Sequence, residues 1–168
     1  DPFSNKFVVL DVIPLSLGVE TIGGEMTQIL QRNTIIPATR KKKFSTDKDY
    51  ETEVKIKVVE GERKLTKDNF KVGEFILTGL EKAPRGIPEI NITFSIDVNG
   101  IVNVTAVDRK NKDVQNSIIV KSNKGRLSEK QIKRLVKESR KLEQEDRVNR
   151  KKKRLFYEIE DLCSNIKD

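Results

Sequence analysis

The sequence has no histidine and only one cysteine among its 168 residues. Without histidine, the Ser-His-Asp and Cys-His constellations, histidine-ligated zinc and the usual general base are all excluded. The single cysteine, Cys163, can form neither an intrachain disulfide nor a zinc site of several thiolates, which fits a reducing compartment. The phosphate-cradling glycine motifs GxxxxGK[ST] and GxGxxG do not occur either. We therefore expect a chain that is not an enzyme and that holds no metal or cofactor of its own.

Long hydrophobic runs are missing as well. No stretch approaches the roughly 18 to 20 apolar residues that span a bilayer, so we expect no membrane partner. The first four residues, 1–4, contain neither an initiator methionine nor the charged and then apolar pattern of a signal peptide. We expect the chain to be a piece of a longer protein. Hydrophobic residues make up 35% of the sequence and are spread along it, enough for one core and a smaller satellite.

Positive charge is concentrated in one segment. The formal net charge is +8, but residues 121–154 contain 15 Lys and Arg against 5 Asp and Glu, a local charge of +10 that leaves −2 for the rest. We therefore expect no general nucleic-acid-binding surface in the first 120 residues. A binder of nucleic acid or acidic lipid that acts through residues 121–154 stays open as an alternative, and it would show a steep salt dependence.

Up to about residue 121, apolar and polar residues alternate between closely spaced turn residues, a pattern typical of a compact all-β unit. The Gly23-Gly24 pair predicts a tight hairpin turn, because two glycines can take the positive φ that such turns require. A second hairpin is predicted around the polar turn 47–50 and a third at Asn99-Gly100. About eight strands joined in this way predict a β-sandwich. They cover residues 17–22, 26–30, 40–46, 52–59, 75–80, 90–96, 101–107 and 117–122.

Near residue 127 the apolar period changes to that of a helix. Ser128 with Gln131 three positions later forms a capping box, which opens an apolar series at helical spacing that ends at Leu142. After a basic stretch, a second apolar stripe follows at the same spacing. It consists of Leu155, Phe156, Ile159, Leu162, Cys163 and Ile166. Because little sequence remains to cover this stripe, we expect it to dock on the sandwich, on sequence outside this chain, or on a partner.

Several strings resemble the substrate-binding region of the seventy-kilodalton heat-shock chaperones and the linker that precedes it. VVLDVIPLSLGVETIGGEMT resembles the linker and first hairpin, and APRGIPEINITFSIDVNGIVNVTAVD is similar to a recognisable later motif of the family. RNTIIPATRKKKFST, GERKLTKDN and GRLS also resemble family strings, the last at the entry to the lid. The resemblance follows the chain in order until about Leu142, beyond which the basic run departs from the family pattern.

The resemblance implies a two-layer antiparallel β-sandwich whose loops form a channel, followed by a truncated α-helical lid. Residues 1–12 would be an interdomain linker, 13–122 the peptide-binding sandwich and 123–168 the partial lid. The implied function is that of a chaperone module that binds short extended hydrophobic segments of unfolded client polypeptides. An ATPase domain in cis, outside this chain, would bind ATP and Mg²⁺ and control the module. J-domain cochaperones and nucleotide exchange factors would be further partners.

The resemblance also implies roles for single residues. The central pocket for one apolar side chain would be lined by Val19, Thr21, Phe44, Val54 and Ile56. Ile22 and Asp47 would meet in an arch over the peptide, and Ser45, Glu51 and Ile90 would lie beside the channel. Without the resemblance, the interpretation of the pocket residues would be ordinary sandwich core.

At the start of the chain, Val8, Val9, Leu10 and Asp11 resemble the linker that docks on the ATPase domain. The alternative for the apolar patch 7–10 is an edge strand of the sandwich. At the other end, the family's lid is latched by a carboxylate that pairs with the arginine of a PRG motif, here Arg85, and counting along the helix brings Glu160 opposite it.

Three positions depart from the family pattern. Asp47 stands where an arch residue is small or apolar, so we expect a weaker arch or a preference for basic peptide flanks. Ser164 stands at a second latch position that is often histidine, so that contact is expected to be lost or replaced. The run 150–154 places five positive charges together, which disfavours helix; it is expected to be a solvated face, or else bent, frayed or held by an acidic partner.

Two other hypotheses and the compartment stay open at the level of sequence. A non-cycling relative would keep the sandwich but act as a structural or exchange-factor-like partner. Two copies could associate through the partial lid, or through a tail or linker lying in a neighbour's groove. We expect a cytoplasmic protein, with the endoplasmic reticulum lumen as the alternative because of the string at residues 61–69.

Overall fold

The computed structural model describes residues 10–122 and 127–166, and the chain divides into two compact units, residues 1–128 and residues 129–168. In its described part, the first unit is built from eight strands and the second from one helix. The strands are β1 Leu17–Thr21, β2 Glu25–Leu30, β3 Ala38–Phe44, β4 Glu53–Glu60, β5 Phe70–Thr78, β6 Ile90–Ile96, β7 Ile101–Asp108 and β8 Gln115–Lys121. The helix is α1, Glu129–Ile166.

The strands form two antiparallel sheets of four, in the orders β2-β1-β4-β5 and β3-β6-β7-β8. Along β6 and β7 every second side chain is buried, as expected for strands with one face on a core. Leu17, Val58 and Leu77 of the first sheet belong to the same buried cluster as Phe94 and Val104 of the second. Each such side chain contributes about 1.5 to 3 kcal/mol on burial. The predicted fold class, a mainly β protein with a C-terminal helix, is confirmed.

Two of the three predicted hairpins are confirmed. β1 pairs with β2 across the turn Ile22–Gly24, where Gly23 and Gly24 have φ values of 77° and 72°. β6 pairs with β7 from Ile90↔Asp108 to Ile96↔Val102, across the turn that contains Asn99 and Gly100. In both cases the turn residues allow the backbone that a short connection between antiparallel strands requires.

The predicted hairpin around residues 47–50 is wrong. β3 pairs with β6, from Ala38↔Ile96 to Phe44↔Ile90, whereas β4 lies between β1 and β5 in the other sheet. The alternation of apolar and polar residues predicts a strand, but it does not say which strand lies beside it. β4 has two hydrogen-bonded neighbours, and β3, which is rich in lysine, is an edge strand. Residues 45–52 therefore cross from one sheet to the other.

β5 begins at Phe70, five positions before the predicted strand. Gly73 interrupts the alternation here, and the structure gives a packing reason for this glycine. A Cβ atom at position 73 would lie 2.7 Å from Cγ1 of Val120 and 3.0 Å from Cδ1 of Ile118, both in β8. The close approach of β5 to β8 therefore leaves no room for a side chain at position 73.

The helix α1 begins directly after Ser128, close to the predicted start, and continues through residues 150–154 without a break. These five basic residues are exposed, as the solvated-face interpretation expects. Ion pairs one turn apart, Arg134 to Glu138 at 2.9 Å and Arg147 to Glu143 at 3.0 Å, support the helix elsewhere.

The second apolar stripe of the helix includes exposed residues: Leu155, Phe156, Ile159 and Leu162. Within the described ranges, no helix combines the length and the apolar character needed to cross a membrane.

Candidate functional site

An open cavity of about 510 Å³ lies at one end of the sandwich, between the β1–β2 turn and the crossing segment 45–52. We call it the loop cavity. The residues that line it are Val19, Glu20, Thr21, Ile22, Phe44, Ser45, Thr46, Asp47, Lys48, Glu51, Val54, Lys55, Ile56, Gly86 and Ile92.

The lining changes from apolar and buried to polar and exposed. Val19 and Ile56 are only 2% and 3% exposed, and Ile92 on the opposite sheet is 3% exposed. Phe44 and Val54 are partly buried and pack against the main core cluster. The loop cavity therefore has an apolar interior of the size of one side chain or more, and its walls belong to both sheets.

Strand register brings these apolar residues together. In β4 the alternation places Val54, Ile56 and Val58 on one face, and Val58 pairs with Val19 of β1. In the other sheet, Phe44 ends β3 and pairs with Ile90 of the neighbouring strand β6. Beyond this point the crossing segment and the loop 79–89 between β5 and β6 both run from one sheet to the other, and the loop cavity lies between the ends of the two sheets.

The crossing segment is tied to the loop between β5 and β6. Positive φ at Tyr50, 59°, turns the chain within this segment. Four hydrogen bonds then hold the two loops together. Two join backbone groups: the amide of Tyr50 donates to the carbonyl of Ala83 at 2.8 Å, and the amide of Gly86 donates to the carbonyl of Thr46 at 3.2 Å. Two involve side chains: the amide of Arg85 donates to Asp49 Oδ1 at 2.9 Å, and the hydroxyl of Ser45 donates to the carbonyl of Pro88 at 2.5 Å. These bonds hold one wall of the loop cavity in place.

The opposite wall is the β1–β2 turn. The Thr21 hydroxyl lies 3.2 Å from the Thr27 hydroxyl and donates to the carbonyl of Glu25 at 3.2 Å. Ile22, the first residue of the turn, is 71% exposed although it is apolar. It lies at the mouth of the loop cavity, where an entering chain could cover it.

Two carboxylates give the rim a negative charge. The amide of Asp47 donates to Glu51 Oε2 at 3.3 Å, so the two side chains lie on the same turn. Partial burial raises the pKa of Asp47, repulsion by the Glu51 carboxylate raises it further, and the ammonium of Lys48 opposes both effects. The arrangement favours a cation at this point of the rim.

Two of the other charged rim residues, Glu20 and Lys55, are already paired. Glu20 accepts a hydrogen bond from Lys57 at 3.1 Å, and Lys55 lies 3.1 Å from Glu74. These pairs are exposed, so they contribute little to stability. Asp47 and Glu51, by contrast, form no ion pair with a lysine among the described residues. They are therefore the rim carboxylates that can pair with an incoming cation.

Nine of the ten residues expected around a peptide channel lie together around the loop cavity. The tenth, Ile90, is 1% exposed at the start of β6, and Ile92 two positions later lines the cavity in its place. Sequence reasoning missed Ile92 although it shares the alternation of Ile90. It also missed Gly86, which belongs to the PRG motif and reaches the loop cavity from the loop between β5 and β6.

The expected linker and latch are less fully described. Val8 and Val9 lie outside the described residues, while Leu10 and Asp11 precede an isolated bridge between Val12 and Ile35. Arg85 and Glu160 belong to different units, so the latch between them stays a prediction. Ser164 is exposed on α1.

Comparisons with known proteins point in one direction. A family model described as Hsp70 protein matches residues 2–168. The chain is 50% identical over 175 residues to a heat shock protein 70 homolog from Acanthamoeba polyphaga mimivirus, an alignment that covers 100% of this chain and 18% of that protein. It is 43% identical over 164 residues to heat shock cognate 70 kDa protein 3 from Dictyostelium discoideum, which covers 98% of this chain and 26% of that protein. The chain thus spans only a small part of the length of these relatives.

Proposed function

This chain belongs to the Hsp70 protein family, and we propose that it is the peptide-binding module of a chaperone of that family. Its clients would be short, extended, hydrophobic segments of unfolded polypeptides. The observation that carries the proposal is the loop cavity, because its interior of Val19, Ile56 and Ile92 is apolar while it remains open to solvent between two loops. An interior made only to stabilise the sandwich would be closed.

An extended peptide suits such a site for two physical reasons. Its amide and carbonyl groups are unpaired, and strand ends and loops can satisfy them without recognising particular side chains. One apolar side chain of the peptide would then enter the loop cavity. Burial of a leucine contributes about 1.5 to 3 kcal/mol, and each net hydrogen bond about 0.5 to 1.5 kcal/mol. After the cost of ordering the peptide, the expected affinity is roughly micromolar, about −8 kcal/mol.

The rest of the proposal concerns the longer protein. α1 would be part of a lid, with Arg85 and Glu160 as its latch, and Val8 to Asp11 would form the linker to an ATPase domain. ATP and Mg²⁺ would bind that domain, and this segment would carry out no chemistry itself. J-domain cochaperones and nucleotide exchange factors would act on the whole protein. We propose a cytoplasmic location, with the endoplasmic reticulum lumen as the alternative.

Of the alternative functions raised by the sequence, none is favoured by a feature of the described residues. The two features that support a non-cycling relative are Asp47 and the departure of the helix from the family pattern, yet the loop cavity is open beside Asp47 and α1 is continuous. The binder of nucleic acid or acidic lipid through residues 121–154 is not proposed.

The proposal is tested with a fluorescent peptide that has a leucine in the centre of a few apolar residues. We expect saturable binding by the chain, measured as fluorescence anisotropy, and its loss in Val54→Glu and Phe44→Glu. Ile76→Glu is the matched control, because Ile76 is an exposed isoleucine of β5 that does not line the loop cavity. No saturable binding, or equal binding by all of these variants, would contradict the proposal.

A further inference from the structure

Strand β3 carries four consecutive basic residues, Arg40, Lys41, Lys42 and Lys43, and all four are exposed. They do not share one face of the strand. Arg40 and Lys42 pair in register with Phe94 and Ile92, whose side chains are buried in the core, so they lie on the inner face of the sheet. Lys41 and Lys43 therefore lie on the outer face. Positive charge thus surrounds the edge of this strand.

The backbone of β3 has a hydrogen-bonded neighbour on only one side in the part of the chain that the structure describes. In an antiparallel pair, alternate residues direct their N–H and C=O groups away from the partner strand. An edge strand therefore presents a row of donors and acceptors to which another extended chain can bind. Ala38–Phe44 forms an edge seven residues long, along which alternate residues present these groups.

In the part of the sandwich that the structure describes, the four basic residues of β3 lack ion-pair partners. Among the described residues, none of them forms an ion pair with a carboxylate within 4.0 Å. Lys43 does interact electrostatically with one carboxylate, Glu89. The hydrogen bond from Arg109 lowers the pKa of Glu89, and the positive charge of Lys43 lowers it slightly further. Glu89 is already bound to Arg109, however, so it leaves the basic residues of β3 available.

We propose that the free edge of β3 is a docking site for an acidic, extended polypeptide segment, which adds to the sheet as a fifth strand. Successive side chains of such a strand point to opposite faces, and on β3 they meet a cation on either face. Opposite charges across neighbouring strands stabilise pairing, whereas like charges destabilise it. A run of Glu or Asp is thus complementary to β3 at every position from 40 to 43.

The simpler interpretation is that these lysines only keep the edge from pairing. Basic side chains on an edge strand do prevent pairing with a second copy of the same strand or with an apolar strand. The same four charges attract an acidic strand, so they select among partners rather than close the edge. A phosphate polymer would use the charge alone, because it has no amide groups to pair with the strand edge, and β3 offers no aromatic side chain between Ala38 and Lys43 on which bases could stack.

The test uses a fluorescein-labelled eight-residue peptide with six consecutive glutamates and measures its anisotropy with the whole chain. Replacing all four basic residues of β3 by glutamine is expected to weaken binding by at least about tenfold. The matched control removes the same charge elsewhere on the sandwich. It replaces four exposed lysines, Lys67, Lys82, Lys112 and Lys121, by glutamine and is expected to change binding by less than about twofold.

A second peptide of equal charge with proline at alternate positions distinguishes strand pairing from attraction of charge alone. Proline lacks the amide donor, so this peptide is expected to bind at least about tenfold more weakly. Equal binding of both peptides, or equal losses in the β3 variant and in the control, would overturn the proposal. If the fourfold variant does not fold, as judged by circular dichroism, the pairs Arg40→Gln/Lys42→Gln and Lys41→Gln/Lys43→Gln are each expected to weaken binding, and no loss in either pair would also overturn it.

Discussion

Replacing Asp47 with asparagine removes one negative charge from the rim of the loop cavity while the side chain keeps its size. Most of the Asp47 side chain is exposed, but partial loss of solvent raises its pKa, and repulsion by the Glu51 carboxylate raises it further. A carboxylate whose pKa is higher in the folded than in the unfolded protein contributes stability when it is protonated and loses that contribution as the pH rises through its folded-state pKa. We therefore expect Asp47→Asn to be slightly more stable than the parent chain at pH 7, by about 0.2–1 kcal/mol.

This difference in stability should disappear below the ordinary pKa of aspartate, about 3.9, because Asp47 is then protonated in both the folded and the unfolded parent chain. The measurement is urea unfolding followed by circular dichroism at several pH values. Asp113→Asn serves as the control, because Asp113 is exposed in the β7–β8 turn and does not line the loop cavity. A parent chain that is more stable than Asp47→Asn at pH 7 would show that the carboxylate is favourably placed, contrary to the geometry of the rim.

The same substitution tests peptide preference, on the premise that the loop cavity binds peptide. With Asp47 ionised, a peptide with lysine on both sides of its central leucine should bind better than one with glutamine there. An exposed ion pair contributes about 0.2–1 kcal/mol, so Asp47→Asn should reduce this preference by about 1.4-fold to fivefold. The glutamine-flanked peptide should bind both proteins equally, and salt should weaken the effect. An unchanged preference would refute the role of Asp47, whereas a parent chain that binds neither peptide would refute the peptide site itself.

Two further predictions concern the sandwich. Gly73→Val should destabilise the fold by about 1–3 kcal/mol, because the added side chain meets Val120; urea unfolding measures this, and an unchanged midpoint would contradict the packing of β5 on β8. Asn69→Ala should lower the free energy of unfolding by about 1–3 kcal/mol, because it removes three hydrogen bonds. The Asn69 side chain accepts one from the amide of Arg63 at 3.0 Å and donates to the carbonyls of Arg63 at 2.8 Å and Leu65 at 3.2 Å. Hydrogen exchange should rise first in the loop 61–69, and uniform exchange across the sandwich would count against this local role.

Local sequence patterns were sufficient to place the strands other than β5 and the two hairpins with short turns. Gly23-Gly24 and Asn99-Gly100 each combine a required backbone conformation with alternation on both sides, so the information lies within a few residues. The helix is equally local, since a change of apolar period marks its start after Ser128. The strand β5 was predicted too short, because Gly73 breaks the pattern for a reason that lies in the distant strand β8.

The sequence by itself determined which segments become strands and helix, and through family motifs it determined nine residues that surround the loop cavity. Only the tertiary structure decided that β3 and β4 belong to different sheets, that Ile92 rather than Ile90 lines the loop cavity, and that the free edge of β3 is basic on both faces. The physical reason is that alternation and turn chemistry act between neighbours in the chain. Strand pairing and the shape of a cavity depend instead on contacts between segments that are far apart in sequence.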